Sequence, residues 1–400
     1  MNRKQLIILI VLVAVIGGAG LYFSKQQNNA YTHGDQKLGQ KLFPKLPIND
    51  VAQIQIKQHG AELNLVKKDD LWRVKERGNY PANFAMISDF LLKAGDLKIV
   101  QSEEIGASQF AKLELLDPAK DSGSGTSLDL KDASGKTIQS AMLGKKVIKK
   151  PERASQFGDE GYPIGRYVLL PSDAKNVFVI SDSLNDIEAK PENWLNKDFF
   201  KLEKVKTVSL TSTNATHSWK LTRDAESAPW KLVDAKSSEL LDTNKVSGLA
   251  GSIASPNFID VATDTTPDKT GLDHPQMITL ETFDGFTYVL KIGKLSGKEN
   301  YYFAMTVNAN LPKERVAGKD EKPEDKTKLD KEFADKSKLL AEKLKKEKAL
   351  EKWTYLVAKW PFDPLLKDRA ELLVEKKEEQ KAATKAPKPD PFSDPTGLEK

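Results

Sequence analysis

Cysteine is absent from this sequence of 400 residues. Its absence excludes disulfides, cysteine-ligated zinc, iron–sulfur clusters, thiol nucleophiles and the lipid-accepting cysteine of a bacterial lipoprotein. Histidine is scarce as well, and the chain holds only His33, His59, His217 and His274. No two of them lie at the spacing of a His-Glu-x-x-His helix or of another short metal motif. The sequence therefore predicts no metal and no cofactor.

Recognisable catalytic motifs are also missing. There is no Walker A loop, no Gly-x-Ser-x-Gly nucleophile turn and no Rossmann fingerprint behind a strand. Two acidic spots, Asp69-Asp70 and Asp117 with Asp121, could supply oxygen ligands or an acid–base pair. Both fall at predicted turns, however, where aspartate commonly hydrogen-bonds to the local backbone. We predict that the protein is not an enzyme.

Charge of one sign is not in large excess. The 62 lysines and arginines face 57 aspartates and glutamates, which leaves a formal charge of +5. A nucleic-acid-binding protein normally shows a dense basic stripe, and the signs here are mixed along the chain. We therefore predict no nucleic-acid partner. The length is sufficient for two ordinary domains and a tail.

One long apolar run lies near the N-terminus. Residues 6–23 carry no charge, and at about 1.5 Å per residue they span roughly 27 Å, close to the hydrocarbon thickness of a bilayer. We predict residues 1–24 to be an uncleaved membrane anchor. A cleaved signal peptide and a buried core helix are the alternatives, but the run is longer than a usual signal core. The anchor residues include Leu6, Ile10, Val13, Ile16, Leu21 and Phe23.

The charges around this run predict its orientation. Arg3 and Lys4 precede it, which favours a cytoplasmic N-terminus. The long C-terminal body is then the part that crosses the membrane. We predict a single-pass protein of the bacterial inner membrane, with most of the chain in the periplasm. Residues 25–47 are polar and poorly patterned, which is typical of a flexible spacer.

The body contains an internal repeat, with a first copy at about 48–200 and a second at about 203–373. Both copies begin with short segments of alternating apolar and polar residues, typical of half-buried antiparallel strands. The matching segments are 51–56, 63–65 and 72–74 in the first copy and 205–210, 219–221 and 230–232 in the second. Each copy then changes to helical spacing, behind Asn83 and Asp242 as N-caps.

Further matches follow the helix in both copies. The segment 97–100 matches 258–261, Asp117-Pro118 matches Asp273-His274-Pro275, and 167–170 resembles 355–357. Gly144-Lys145 and Gly293-Lys294 each follow an apolar strand and are expected to end it. The predicted fold class is α+β: an N-terminal transmembrane helix followed by two tandem, mainly antiparallel sheets, each with one packed helix.

Several short motifs resemble the bacterial DUF4340 family of membrane-anchored proteins. They are Trp72-Arg-Val74, Tyr80-Pro81-Ala82, Gly271-Leu-Asp273-x-Pro275, Asp284-Gly285 and Ile292-Gly-Lys294. The resemblance implies an extracytoplasmic accessory role beside ABC-type export or gliding-motility systems, together with GldG-like proteins. It supplies no catalytic residues. The first copy departs from the pattern at 114–118, where a Gly-Leu-Asp turn is expected.

The second copy carries a long charged insertion, at about 312–352, with apolar residues at near-helical spacing. A solvated surface helix and a projecting arm that docks a partner helix are both consistent with this pattern. Aromatic residues follow it, either as a last strand or as a docking surface. Residues 374–400 are rich in Lys, Glu, Ala and Pro and are predicted to be a disordered tail. The residues predicted to dock a partner are Leu339, Leu340, Leu344, Trp353, Trp360 and Phe362.

These observations predict a non-enzymatic interaction or scaffold module, tethered to the membrane and accessory to an envelope ABC-type export or motility complex. Its partner would be an ABC permease or a GldG-like protein. The alternative is a periplasmic binding protein that holds a small molecule or an envelope polymer between the two copies. That alternative predicts a concave surface lined by aromatic residues and a few polar groups.

Overall fold

The computed structural model describes residues 37–120, 124–150, 161–212, 215–318 and 321–374. The predicted anchor at 6–23 and the predicted tail beyond Val374 lie outside these residues. Among the described residues, no helix is long and apolar enough to cross a membrane.

The strands of the first repeat all lie between residues 53 and 180. Their bounds are β1 Gln53–Gln58, β2 Ala61–Lys68, β3 Leu71–Val74, β4 Tyr80–Pro81, β5 Ile99–Glu104, β6 Thr126–Lys131, β7 Thr137–Lys149, β8 Tyr162–Leu170 and β9 Asp173–Ile180. They form one sheet in the order β4-β3-β2-β1-β6-β7-β8-β9-β5. Every neighbouring pair is antiparallel.

The strands of the second repeat lie between residues 205 and 358. Their bounds are β10 Val205–Thr211, β11 Trp219–Thr222, β12 Lys231–Leu232, β13 Phe258–Val261, β14 Gln276–Thr282, β15 Phe286–Ser296, β16 Asn300–Ala309 and β17 Tyr355–Ala358. Their order, β12-β11-β10-β14-β15-β16-β17-β13, repeats that of the first sheet without β4. All of these pairs are antiparallel as well.

This shared order corrects one part of the predicted alignment. By position in the sheet, β8 corresponds to β16 and β9 corresponds to β17. The segment 355–357 is therefore the counterpart of the end of β9, and 167–170 was the wrong match. The charged insertion lies between β16 and β17, where the first repeat has only a tight turn at residues 171–172. Similar apolar composition in neighbouring strands produced the error.

The helices lie in the connections between strands. Their bounds are α1 Phe84–Asp96, α2 Thr243–Ser247, α3 Leu249–Ser252, α4 Pro267–Thr270 and α5 Pro323–Lys348. The side chain of Asn83 caps α1 by accepting from the Met86 amide, and Asp242 caps α2 in the same way. Gly248 interrupts the second-repeat helix, because glycine favours the unfolded backbone.

Short 3-10 turns complete the described secondary structure. Their bounds are Ile48–Asp50, Lys75–Arg77, Ala107–Leu113, Pro191–Trp194, Ala215–His217, Ala349–Lys352, Asp363–Leu366 and Arg369–Leu372. The two antiparallel sheets and few helices confirm the mixed α+β class.

The core follows from the period-two pattern of the strands. In β1, Ile54 and Ile56 are fully buried, whereas Gln55 between them is half-buried. Val208 and Leu210 occupy the same positions in β10 and are also buried. Burying an aliphatic side chain of this size contributes about 1.5–3 kcal/mol. The helix α1 covers the first sheet with its own apolar face.

A β-bulge occurs at the same place in both repeats. The pairing of β7 with β8 shifts between Leu143 and Lys146, and that of β15 with β16 shifts between Ile292 and Leu295. The predicted strand ends at Gly144-Lys145 and Gly293-Lys294 are therefore wrong, because both strands continue past them. A bulge adds an unpaired residue and bends the strand.

The glycine of each bulge allows a neighbouring turn to pack against it. A Cβ atom on Gly144 would lie 2.3 Å from the Leu113 carbonyl oxygen, and one on Gly293 would lie 2.1 Å from the Thr270 carbonyl oxygen. Both distances are much shorter than the van der Waals contact distance between a carbon atom and an oxygen atom. The glycines are therefore required for close approach of the backbones, which is why the Gly-Lys pair occurs in both repeats.

Candidate binding cleft between the two sheets

The edge of the first sheet meets the edge of the second. Tyr80, on the edge strand β4, is buried against the ring of Phe258 on the edge strand β13, with 5.6 Å between ring centroids. The ring of Trp353 lies 5.1 Å away on another side of Tyr80. Burial raises the pKa of Tyr80 to about 12. The two repeats therefore share an aromatic contact region.

An ion pair reinforces this junction. Arg77 follows β3, and its Nε and Nη2 atoms donate to the two carboxylate oxygens of Asp260 on β13, at 2.6 and 2.7 Å. Glu192 lies 3.4 Å from the same guanidinium group. Both side chains of the pair are largely buried, and the hydrogen bonds that Arg77 donates to Asp260 raise the pKa of Arg77. Paired, planar charges of this kind fix geometry as well as contributing energy.

The linker of residues 196–203 joins the repeats and is bonded to both. At its start, Leu195 pairs with Ala82, and the Asn196 amide donates to the Pro81 carbonyl oxygen at 2.9 Å. At its end, the Leu202 amide donates to the Ala254 carbonyl oxygen at 2.9 Å. The central part of the linker contacts β13, since Lys197 Nζ donates to the Ile259 carbonyl oxygen at 2.7 Å and the Phe199 ring lies 5.2 Å from the Phe258 ring.

A cleft of about 820 Å³ opens beside this linker. We call it the inter-sheet cleft; its walls are the linker, residues 255–257 ahead of β13, and the C-terminal part of α5. Phe199 and Trp353 provide partly buried aromatic surface, and Leu339 projects from α5 with 66% of its surface exposed. The walls carry charges of both signs, including Lys201, Glu203 and Glu342 beside the paired residues described below.

A second recess, of about 730 Å³, continues from the cleft along the first repeat. The two share Pro81 and the linker residues 196–198. Leu71 and Phe84 line the second recess and are 56% and 67% exposed. Together the two recesses form a groove with apolar side chains spaced along it. Such a shape suits an extended ligand better than a compact one.

The wall formed by α5 is fixed by a buried carboxylate. Glu347 is 5% exposed and accepts hydrogen bonds from the Tyr288 hydroxyl at 2.7 Å, from the Lys201 amide at 3.1 Å and from Lys343 Nζ at 2.6 Å. Lys343 Nζ also donates to the Lys201 carbonyl oxygen at 2.7 Å. Burial, together with the charge of Glu347, raises the pKa of Tyr288 above its ordinary range. This network ties α5 to the linker and to β15.

The predicted docking residues occupy different environments. Leu339 and Trp360 are 66% and 72% exposed. Leu340, Leu344 and Trp353 are partly buried against the core, so α5 lies along the second sheet. Phe362 is fully buried, and its ring lies 5.4 Å from the ring of Phe303, so it contributes to the core rather than to an accessible surface.

Of the acidic residues considered from the sequence, Asp121 lies outside the described residues, and Asp117 and Asp70 have local partners. Asp117 accepts from the Ala119 amide at 2.9 Å, which is the hydrogen bond of a turn. Asp273 lies beside a recess of about 350 Å³, with His274 and Lys294. Asp70 is exposed and pairs with Lys67. Within the described residues, no group of acidic and histidine side chains is arranged to hold a metal ion.

Sequence reasoning missed the residues that form the junction. Arg77 and Asp260 are 183 positions apart, and no spacing rule links them. Glu347 did carry a signal, because it follows Leu340 and Leu344 on the apolar stripe of α5, where a charged residue must find a partner. Tyr288 lies on a buried position of β15, and its hydroxyl group needs such a partner too.

A comparison with protein families gave one match. The profile of a domain of unknown function, DUF4340, matches residues 72–275. The match starts in β3 and ends ahead of β14, so it includes the linker and both members of the Arg77–Asp260 pair. No curated protein matched the chain, and no solved structure did. Because the profile covers just over half of the chain, this protein belongs to the DUF4340 family.

Proposed function

We propose that this protein is a membrane-tethered binding module without catalytic activity, which holds a partner of the bacterial envelope in the inter-sheet cleft. The observation that carries the proposal is the cleft itself, of about 820 Å³, with aromatic surface, mixed charges and a continuation along the first repeat. Concave sites with apolar walls and a few polar groups are where proteins most often bind ligands.

The proposal that the module lacks catalytic activity is supported by the way the buried ionisable groups in and beside the cleft are paired. Glu347 and Lys343 bond to each other and to the linker, and Arg77 bonds to Asp260. A general acid or base needs a free lone pair or proton within reach of a substrate. These side chains instead fix the positions of α5 and of the two sheets.

The cellular setting of the proposal comes from the sequence. The apolar run at 6–23 would hold the body at the inner membrane, with the body in the periplasm. The family resemblance points to an accessory role in an ABC-type export or motility complex. An ABC permease or a GldG-like protein is accordingly the partner we propose.

In-cell photo-crosslinking tests this function. A photoreactive amino acid at Leu339, which is exposed and lines the cleft, is expected to capture an envelope protein such as an ABC permease. The matched control is Leu240, which is 69% exposed but lies outside the cleft. Equal capture from both positions, or none from Leu339 in cells that make the full envelope complex, would count against the proposal.

A second function, the binding of a small molecule or an envelope polymer, is favoured by the volume of the cleft. About 820 Å³ falls within the range of small-molecule sites. Thermal unfolding of the purified protein separates the two functions. A ligand at a hundred times its Kd raises the free energy of unfolding by about 2.7 kcal/mol and shifts the midpoint accordingly. Such a shift with periplasmic metabolites or glycans, without capture of a protein, would select the second function.

A further inference from the structure

Arg166, on β8, is a buried cation of the first repeat and is 8% exposed. Its Nε atom donates to the Gly144 carbonyl oxygen at 2.7 Å, and its Nη2 atom donates to the Thr126 hydroxyl oxygen at 3.3 Å. Its Nη1 atom donates to the Leu184 carbonyl oxygen at 3.4 Å. Burial lowers the pKa of Arg166, and the nearby Glu114 carboxylate partly offsets this effect. A guanidinium group thus fills the space beside the bulge of β7.

The strand register identifies Tyr301 as the counterpart of Arg166 in the second repeat. After the bulge of the first repeat, Lys146 pairs with Arg166, and after the bulge of the second repeat, Leu295 pairs with Tyr301. Tyr301 does not reproduce the hydrogen bonds of the guanidinium group. Its hydroxyl group donates instead to the Asp363 carboxylate at 2.8 Å. The second repeat therefore has no cation of its own at this position.

The groups around Arg166 also have counterparts. The hydroxyl group of Thr126 is replaced by the side-chain amide of Gln276, because the two residues hold the same pairing position at the start of β6 and of β14. The bulge glycine of the second repeat is Gly293. The residue with left-handed backbone ahead of each strand is Glu114, with φ 54°, in the first repeat and Gly271, with φ 63°, in the second. Hydrogen-bond acceptors are thus kept, whereas two charged side chains are lost.

The recess of about 350 Å³ lies at this place in the second repeat. We call it the bulge recess; its walls include the four second-repeat positions just described, and Asp273 adds a carboxylate group. His274 lies 3.7 Å from that carboxylate and is 86% exposed. Lys294 also lines the recess, and its Nζ atom donates to the Asp268 carbonyl oxygen at 2.8 Å. The space that a guanidinium group fills in the first repeat is therefore open in the second and has a carboxylate beside it.

We propose that the bulge recess binds a guanidinium group from outside the chain, either an arginine side chain of another polypeptide or a free guanidino compound. The first repeat supplies the template, because its own guanidinium group occupies the equivalent space. Asp273 provides a carboxylate that can accept from two N–H groups, and the ring of Tyr301 provides an aromatic surface for a planar cation.

The size and position of the bulge recess define this ligand further. A volume of about 350 Å³ is at the lower end of the range for small-molecule sites, which suits one side chain or a compound of similar size. The bulge recess shares no lining residue with the inter-sheet cleft. Binding of a guanidinium group here is therefore independent of the proposed function.

Ligand-observed NMR with the full-length protein tests the site. Nα-acetyl-arginine amide is expected to bind, and its uncharged isostere, Nα-acetyl-citrulline amide, should bind at least about tenfold more weakly, because it lacks the charge that strengthens the hydrogen bonds. Free arginine distinguishes the two sources of the ligand, since it carries charged ends that a side chain within a polypeptide lacks. Tighter binding of the blocked form would identify a polypeptide ligand, and tighter binding of free arginine would identify a small molecule.

Two substitutions locate the binding. Tyr301→Arg places a guanidinium group at the position that Arg166 holds in the first repeat, so it is expected to fill the bulge recess and abolish binding. Asp273→Asn removes the carboxylate without filling the space and should weaken binding at least about tenfold. The matched control is Asp96→Asn, because Asp96 is 79% exposed and lies in the first repeat. It should leave the affinity unchanged.

Four results would overturn the guanidinium site. They are no binding of either arginine ligand at millimolar concentration, equal binding of the arginine and citrulline amides, full affinity in Asp273→Asn, and full affinity in folded Tyr301→Arg. Thermal unfolding shows whether Tyr301→Arg is folded, and Asp273→Asn decides the result if it is not. Capture of an envelope protein at Leu339 would be unaffected by any of these results, because Leu339 lines the inter-sheet cleft.

Discussion

The guanidinium group of Arg77 binds both carboxylate oxygens of Asp260 across the junction of the two sheets. Each partner belongs to a different repeat, so this pair holds the repeats in a fixed relative position. The aromatic contact of Tyr80 with Phe258 lies at the same junction. Both contacts bear on the shape of the inter-sheet cleft.

The substitution Asp260→Asn is expected to lower the free energy of unfolding by about 2–3 kcal/mol, since it leaves the Arg77 charge largely buried without its partner. Urea unfolding followed by tryptophan fluorescence measures the change. The matched control is Asp70→Asn, because Asp70 is 97% exposed and pairs with Lys67. Its effect should stay below about 0.5 kcal/mol. Equal losses in both variants would contradict a special role of the junction pair.

Placing a methyl group at either bulge should be costly. Gly293→Ala and Gly144→Ala would bring Cβ within 2.1 and 2.3 Å of a carbonyl oxygen, and each is expected to cost at least about 1–3 kcal/mol. Gly248→Ala is the control, since nothing lies within 4 Å of its Cβ position and its φ is −86°. It should be neutral or stabilise by about 0.5–1 kcal/mol. Thermal unfolding of the three variants compares them.

Alkaline pH should destabilise the junction through Tyr80. Its pKa is raised to about 12 in the folded protein by burial, against about 10 in the unfolded chain. Between these values the unfolded chain has lost the proton that the folded protein keeps, so stability is complete below pH 10 and falls as the pH rises to 12. The slope from this group is at most about 1.4 kcal/mol per pH unit.

In Tyr80→Phe, the free energy of unfolding should fall less steeply between pH 10 and 12, as measured by urea unfolding at each pH. Tyr162→Phe serves as the control, because Tyr162 is 55% exposed. Tyr288 and Tyr355 are shifted in the same direction by burial, so part of the slope will persist in the variant. An unchanged slope in Tyr80→Phe would contradict this assignment.

Substituting the exposed and the buried members of the predicted docking residues should have different effects on stability. Phe362→Ala is expected to cost about 3–5 kcal/mol of stability, because it leaves a cavity in the core. Trp360→Ala should change stability by less than about 0.5 kcal/mol, since the side chain is 72% exposed. Chemical unfolding distinguishes the two. A large loss in Trp360→Ala would show that this residue packs against the body.

Protease treatment of intact spheroplasts tests the predicted topology. The body is expected to be digested, because residues 6–23 would place it outside the cytoplasm. A cytoplasmic protein in the same sample should survive, and lysis should expose it. A body that stays intact until lysis would show that the predicted orientation is wrong.

Much of the sheet could be predicted from local patterning. Ile54 and Ile56 alternate with polar residues, and their counterparts Val208 and Leu210 do the same, so the strands and their duplication were visible. The caps at Asn83 and Asp242 were also predicted correctly, because capping depends on a few adjacent residues. Interactions within a short segment depend on neighbouring residues and can therefore be predicted from the sequence.

The cleft could not be predicted in the same way. Its linker wall is positioned by Asn196 and Leu202, which are bonded to different repeats. Likewise, the match of 355–357 failed because strand position depends on hydrogen-bonded neighbours that composition does not show. Such features arise only when distant segments meet, and a single sequence contains no direct signal for them.

The pair of Arg77 and Asp260 also limits how such repeats can be arrayed. In the first sheet, Gln101 occupies the position of Asp260, and in the second, Ala235 follows β12 as Arg77 follows β3. The outer edge of each sheet, at β5 in the first and at β12 in the second, therefore lacks the charged residue that joins the two sheets at their junction. Copies stacked head to tail would therefore meet without this ion pair, and growth into filaments would lack the contact that joins the two repeats within one chain.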